Sequence, residues 1–141
     1  MHKEEFGKRI AKIYELMLAK QTGMLDELGV NPADYNVFLT IDEYPGCTQL
    51  FIANKRNVER SLLTRVIKRY IDKGYIVREI SAQNKSAYSL HLTVQGNKVV
   101  TEIRHCIAQI NESIQQLFPE NVYDQMIVNL DHIINSWEAR K

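Results

Sequence analysis

The spacing of apolar residues along this chain is helical in most segments and changes to alternation only once. Apolar side chains that recur every three or four residues indicate amphipathic helices. In residues 75–80 and 87–92 the period changes, which predicts two strands joined by the polar loop 81–86. The pattern therefore predicts a mainly α fold with a small β-hairpin, which follows the fourth of six helices.

Short local signals mark where several of these helices begin and end. Asn31 followed by Pro32 is a typical helix start, and Thr48 and Thr93 are suited to cap the third and fifth helices. Gly74 is placed to end the fourth helix. The predicted helices span about residues 3–20, 31–44, 48–54, 58–73, 93–118 and 120–137.

The same spacing predicts which side chains are buried. In the fourth helix, the apolar positions recur at i, i+3, i+4 and i+7 and should form one buried face. The third helix should bury two apolar side chains. The side chains predicted to be buried are Leu63, Val66, Ile67 and Tyr70, then Phe51 and Ile52. In the second strand, Tyr88, Leu90 and Leu92 should face one way, and Ser89 and His91 the other.

Charge is unevenly distributed along the chain. The formal net charge is +1, but residues 54–78 hold eight Lys or Arg against two acidic residues, a net +6, and the remainder carries −5. A basic middle segment between acidic flanks indicates an acidic partner for that segment. Nucleic acid is the commonest such partner, because phosphate neutralisation releases counterions. A solvated helix face remains the alternative from charge alone.

Three long predicted helices, the first and the last two, carry rich apolar stripes with no obvious core of their own to join. An exposed stripe of that size is unusual on a monomer. Burial across a two-fold axis is the economical arrangement, so the sequence predicts a homodimer.

Two short helices, a tight polar turn and a following hairpin predict a winged helix–turn–helix, whose second helix reads the major groove of DNA. Arginine binds guanine edges or phosphates through two hydrogen bonds, and Ser and Thr allow close approach. Once the buried positions are removed, the outward-facing residues are Arg60, Ser61, Thr64, Arg65, Lys68 and Arg69.

The sequence resembles the MarR family. The resemblance lies in the ordered combination of four motifs, found in residues 28–35, 50–53, 61–78 and 92–96. It covers nearly the whole chain. It implies a triangular homodimer in which residues 30–95 form the winged helix–turn–helix lobe, and residues 1–20 and 96–141 form a dimerisation lobe, all within one domain of residues 1–141.

The resemblance also implies two further sites. Aromatic or lipophilic effectors of the family bind between the two lobes, for which Tyr14, Tyr35 and Phe38 are the candidates here. Family wings carry an Asp-x-Arg near the tip, but this chain has Asn84 and Ser86 at those positions. Lys85 is then the expected cation for the minor groove, with weaker shape selectivity than arginine. Arg78 is expected to contact phosphate or to pair with Glu79.

Other chemistry is less well supported by the residues. Cys106 lies beside an apolar stripe and is expected to be a buried, inert thiol, and Cys47 lacks the basic neighbours that activate a redox sensor. Adjacent helical residues such as His105 and Cys106 point about 100° apart and do not chelate a metal ion. The sequence has no catalytic motif, and we expect no enzyme activity, cofactor or metal. With no signal peptide or membrane span expected, the predicted location is the cytoplasm.

The sequence thus predicts a DNA-binding transcription regulator: a homodimeric repressor of a pseudo-palindromic operator, controlled by a small effector. The altered wing tip motivates an alternative, a winged-helix protein-interaction module or anti-regulator without specific DNA binding. A third alternative is a small-molecule carrier or enzyme.

Overall fold

A computed structural model describes residues 5–23, 25–80 and 87–139 of the chain. Within these ranges, six α-helices and one hairpin follow each other in the predicted order, which confirms the predicted fold class. The elements are α1 (Glu5–Gln21), α2 (Tyr35–Glu43), α3 (Gln49–Arg56), α4 (Arg60–Asp72), β1 (Ile76–Ile80), β2 (Tyr88–Leu92), α5 (Val94–Gln115) and α6 (Glu120–Glu138). Two short 3-10 helices, Asp26–Leu28 and Pro32–Asp34, precede α2.

The chain divides into two compact units, Met1–Cys106 and Ile107–Lys141. The core of the first unit draws fully buried side chains from α2, α3, α4, both strands and α5. These are Phe38, Ile41, Ile52, Leu63, Ile67, Tyr70, Ile76, Leu90, Val99 and Ile103. In the second unit, by contrast, α6 has no buried residue in its described length.

Three predicted caps are confirmed by their hydrogen bonds. The Asn31 side chain accepts a bond from the Ala33 amide at 3.0 Å, and Thr48 Oγ1 accepts one from the Phe51 amide at 3.1 Å. Thr93 Oγ1 accepts a bond from the Gly96 amide at 3.0 Å. Each satisfies an amide that the helix leaves unpaired. Asn31 differs from expectation in one respect, because the turn that it caps is 3-10 and α2 starts only at Tyr35.

The turn between α3 and α4 lies two residues later in the chain than predicted. α3 continues to Arg56 and ends where Asn57 adopts the left-handed conformation, with φ of 54°. α4 then begins at Arg60 rather than at Val58. The prediction that Phe51 is buried is wrong: the side chain is 38% exposed and lies on the Tyr44 ring, with 5.0 Å between ring centroids.

The hairpin pairs Ile76 with Leu92, Arg78 with Leu90 and Ile80 with Tyr88. Leu90 is fully buried, whereas Tyr88, which shares its side of the alternating pattern, is 51% exposed. The reason is that the core ends at Leu90 and the hairpin extends past it.

The surroundings of Gly96 explain why the motif of residues 92–96 has a glycine at this position. A Cβ atom at this position would lie 2.1 Å from the Tyr75 carbonyl oxygen, so only glycine allows α5 to pass this closely. Thr93 fixes the same junction, since its hydroxyl donates to the Gly74 carbonyl at 2.6 Å. The start of α5 is thereby fastened to the segment that follows α4.

Candidate nucleic-acid interface

α4 has one face in the core and one in solvent. Leu63, Val66, Ile67 and Tyr70 are buried as predicted. The six residues predicted to face outward, Arg60, Ser61, Thr64, Arg65, Lys68 and Arg69, are all exposed. With 100° per residue, Ser61, Arg65 and Lys68 lie along the line farthest from the core. We call these three residues the outer row.

Arg65 and Lys68 supply the positive charge of the outer row. The ion pairs found within residues 5–23, 25–80 and 87–139 involve Lys12, Arg69 and Arg104, and neither Arg65 nor Lys68 takes part in one. Two cationic side chains one turn apart on an exposed helix are therefore available to an anionic partner. Their spacing suits contacts to the backbone and bases of a DNA groove.

Glu59 caps the N-terminal end of α4. Its carboxylate accepts bonds from the Ser61 and Leu62 amides, each at 3.1 Å. The Ser61 hydroxyl also lies 2.6 Å from both carboxylate oxygens. These bonds, above all the one from the Ser61 hydroxyl, hold the pKa of Glu59 below its ordinary value. Glu59 was not predicted as the cap of α4, although an acidic residue just before a helical apolar run is a known start signal.

Thr64 connects α4 to α3. Its hydroxyl donates to the Arg60 carbonyl at 3.0 Å and accepts a bond from Gln49 Nε2 at 3.2 Å. An open groove of about 220 Å³ lies here, lined by Gln49, Leu50, Arg60, Leu63 and Thr64. Its lining combines two leucines with polar side chains from α3 and α4.

Arg69 forms an ion pair within its own subunit. Its guanidinium lies 3.2 Å from the Asp34 carboxylate, which is buried at the start of α2. The same carboxylate accepts a bond from the Tyr70 hydroxyl at 2.5 Å, and that hydroxyl accepts one from the Asn31 amide. Burial, and then the bond to Asp34, raise the pKa of Tyr70 to about 12. This network fastens the C-terminal half of α4, and Arg69 is less available to DNA than Arg65.

The described part of the wing carries one of its predicted DNA-binding residues. The Arg78 guanidinium lies over the Tyr88 ring, 5.1 Å from its centroid, rather than in an ion pair with Glu79. This contact gives the exposed Tyr88 a partner and holds Arg78 against the hairpin. Asn84 and Lys85 lie outside the described residues, as does Ser86.

The three candidate effector residues have different surroundings. Phe38 is fully buried and packs edge-on against Tyr70, with 4.8 Å between centroids, whereas Tyr14 is 53% exposed on α1. Tyr35 is buried, and its hydroxyl has no hydrogen-bond partner of good geometry within the described part of the chain. Burial, followed by the nearby Cys106 thiol, raises the pKa of Tyr35 to about 12. The structure therefore assigns Phe38 to the core and leaves the buried Tyr35 hydroxyl beside the Cys106 thiol without a well-formed hydrogen bond.

The cysteines and histidines form no further site in the described ranges. Cys106 is buried, and partial burial raises the pKa of the Cys47 thiol, which disfavours the reactive thiolate. No three His, Cys, Asp or Glu side chains among residues 5–23, 25–80 and 87–139 come together as a metal site would require. None of the helices described here combines the length and apolar character needed to cross a bilayer.

Among known proteins, this chain is similar to transcription regulators of the MarR type. The MarR family model matches residues 30–86. Over 79 residues the chain is 32% identical to a protein of Thauera aromatica to which transcriptional regulation of the hcr operon is ascribed. That alignment covers 56% of this chain and 48% of the relative, so the chain spans about half the length of this curated relative.

Solved structures agree over more of the chain. A MarR transcriptional regulator from Methanosarcina mazei Go1 superimposes with a TM-score of 0.91 at 16% identity, covering 99% of this chain and 100% of that one. The S. aureus MepR structure in complex with DNA gives 0.84 at 19% identity, covering 93% and 97%. At these identities the likeness establishes the fold.

Proposed function

The chain carries a MarR-family domain at residues 30–86 and has the fold of MarR-family structures, and from this premise we propose that it is a homodimeric DNA-binding transcription regulator. Both the family and the fold are those of transcription regulators rather than enzymes. In the proposed complex, α4 of each subunit enters the major groove of one half of a pseudo-palindromic operator. The half-sites would lie about 10 base pairs apart, centre to centre.

The observation that carries the proposal is the outer row of α4. Arg65 and Lys68 stand on the face opposite Leu63 and Ile67, whose burial fixes the orientation of the helix. The Gln49–Thr64 bond holds the N-terminal half of α4, and the Asp34–Arg69 pair holds its C-terminal half. A rigid helix with an exposed cationic face is what binding in a groove requires, because little freedom is lost on binding.

The proposal is tested with duplexes selected by the full chain from a random-sequence library. Fluorescence anisotropy should show roughly tenfold weaker binding for Arg65→Ala and for Lys68→Ala. A variant that loses a phosphate contact should weaken binding on all sequences and reduce the salt slope by about one. Lys98→Ala is the matched control, since Lys98 is an exposed cation on α5 outside the interface.

Two results would contradict the assignment of α4. Parental affinity in both Arg65→Ala and Lys68→Ala would show that α4 is not the reading helix. If the parent selected no sequence at all and bound only weakly and non-specifically, the protein-interaction module would become the better account.

We also propose that the protein is a repressor with an effector site near Tyr35, and that it acts in the cytoplasm. The unpaired, buried Tyr35 hydroxyl supports the choice of Tyr35, because a buried polar group without a partner carries a cost that a ligand can remove. A thermal-shift screen of small aromatic acids should find ligands that stabilise the parent. Tyr35→Phe should shift less with the same ligand, and equal shifts in both proteins would place the ligand elsewhere.

A further inference from the structure

We propose that Glu59 reads a base: its carboxylate accepts a hydrogen bond from the exocyclic amino group of a cytosine or an adenine in the major groove. This inference rests on the proposed function, because it requires α4 to enter the groove. It adds an acceptor to a surface whose other candidate contacts are cations and hydroxyls.

The carboxylate is exposed and held in one place. Three donors of α4, the Ser61 amide, the Leu62 amide and the Ser61 hydroxyl, bind its two oxygens at 2.6 to 3.1 Å. A carboxylate has about four lone-pair directions, so at least one acceptor position stays open towards solvent. An acceptor that is oriented before binding loses little freedom when a base donor meets it.

The Glu59–Ser61 pair also changes what the outer row offers to DNA. Because the Ser61 hydroxyl donates its proton to Glu59, Ser61 has no proton left for a phosphate. The Ser61 and Leu62 amides, which would otherwise favour an anion at this helix end, are likewise occupied. Glu59 therefore adds a hydrogen-bond acceptor with a negative charge beside the cations Arg60 and Arg65, and this acceptor matches an amino group.

Capping alone does not require a glutamate here. The side chains preferred at this position are Asn, Asp, Ser and Thr, and three of these four carry no charge. A carboxylate next to DNA costs affinity through repulsion unless it meets a donor. The N-terminal residues of a reading helix face the base edges, and cytosine N4 is the usual donor to a carboxylate there.

The test uses the full chain and a randomised duplex library. Glu59→Ser keeps a preferred capping residue, so the thermal midpoint reports whether α4 remains folded. Glu59→Gln keeps one acceptor and adds a donor. The matched control is Asp72→Ala, which removes an exposed acidic residue from the opposite end of the same helix.

The parent should select cytosine or adenine at one position of each half-site, by roughly tenfold over the bases that carry a carbonyl there. Glu59→Ser should lose this preference at that position alone, Glu59→Gln should also accept guanine or thymine there, and Asp72→Ala should select as the parent does.

Two results overturn the inference. If Glu59→Ser weakened binding equally on all sequences, or selected the parental bases, Glu59 would be a cap and no reader. If the parent selected no sequence, the proposed function itself would fail and this inference with it. This outcome differs from the first, in which the parent still selects a sequence.

Discussion

The central lobe, which comprises α2, α3, α4 and the hairpin, and the terminal helices α1 and α6 place their apolar side chains in opposite ways. In the lobe, α2 and α4 bury most of their apolar residues. On α1 the only buried residue is Gln21, on α6 none is buried, and Phe6 and Trp137 are 55% and 67% exposed. Together with α5, the lobe therefore completes its core within one chain, whereas the terminal helices present apolar surface that a second copy would cover.

This difference indicates a division of tasks. The lobe must present α4 in a fixed orientation, and its core and the Asp34 network provide that rigidity. The terminal helices would set the distance between two copies of α4. A ligand that changed this distance would affect the fit to two successive grooves and leave each lobe folded.

The largest effect is expected from a cavity in the lobe. Ile67→Ala removes a fully buried side chain of α4, and should lower the free energy of unfolding by about 2–5 kcal/mol. Urea denaturation measures this loss. Val94→Ala, at an exposed apolar position of the same unit, should change it by less than about 0.5 kcal/mol. Similar losses in both variants would mean that the lobe is not the self-contained region.

A charge on the apolar face of α6 should separate the subunits. Ile134→Glu should give monomers in sedimentation velocity. DNA binding should be at least about 100-fold weaker, because a monomer contacts one half-site without a linked second contact. Helix content should be retained. His132→Glu, about 160° round the same helix, should stay dimeric. A dimeric Ile134→Glu protein would contradict an interface on this face.

The two ion pairs made by Asp34 and Asp42 should differ in strength, because the Asp34 carboxylate is the more buried of the two. Asp34→Asn removes the charge that Arg69 and Tyr70 share, and should cost about 1–3 kcal/mol of stability. Asp42→Asn breaks the more exposed pair with Arg104 and should cost less than about 1 kcal/mol. Urea denaturation of both variants makes the comparison, and equal costs would mean that the Asp34 network is not a fastening point.

The smallest effect is the pH dependence of the α4 cap. The pKa of Glu59 is lowered in the folded protein. The ionised carboxylate therefore contributes its full stabilisation of the folded state above the pKa of the unfolded chain, and this stabilisation is lost as the pH falls through the folded pKa. The difference in thermal midpoint between the parent and Glu59→Gln should therefore shrink as the pH falls from 7 to below 4. A constant difference would show that the ionised carboxylate does not stabilise α4.

Local signals in the sequence predicted much of the fold. The caps at Asn31, Thr48 and Thr93 and the buried face of α4 follow from neighbouring residues, and all are confirmed. Interactions between distant residues were missed. Asp34 and Arg69 are 35 positions apart, and no periodicity indicates their pairing.

The surface was harder to predict for a related reason. Tyr88 fits the alternating pattern of its strand, but the pattern does not tell where the core ends beneath it. Glu59 was missed because the predicted start of α4 was two residues early, which placed it inside the helix rather than at the cap. The role of an exposed residue depends on its neighbours in space, whereas a buried face follows from spacing alone.

The proposed contact between α4 and DNA can be tested directly by lysine acetylation followed by mass spectrometry, with and without a selected duplex. Lys68 on the outer row should be protected several-fold by the duplex, while the exposed Lys98 on α5 should react at the same rate in both samples. If Lys68 reacted equally fast on saturating DNA, α4 would not lie in the groove.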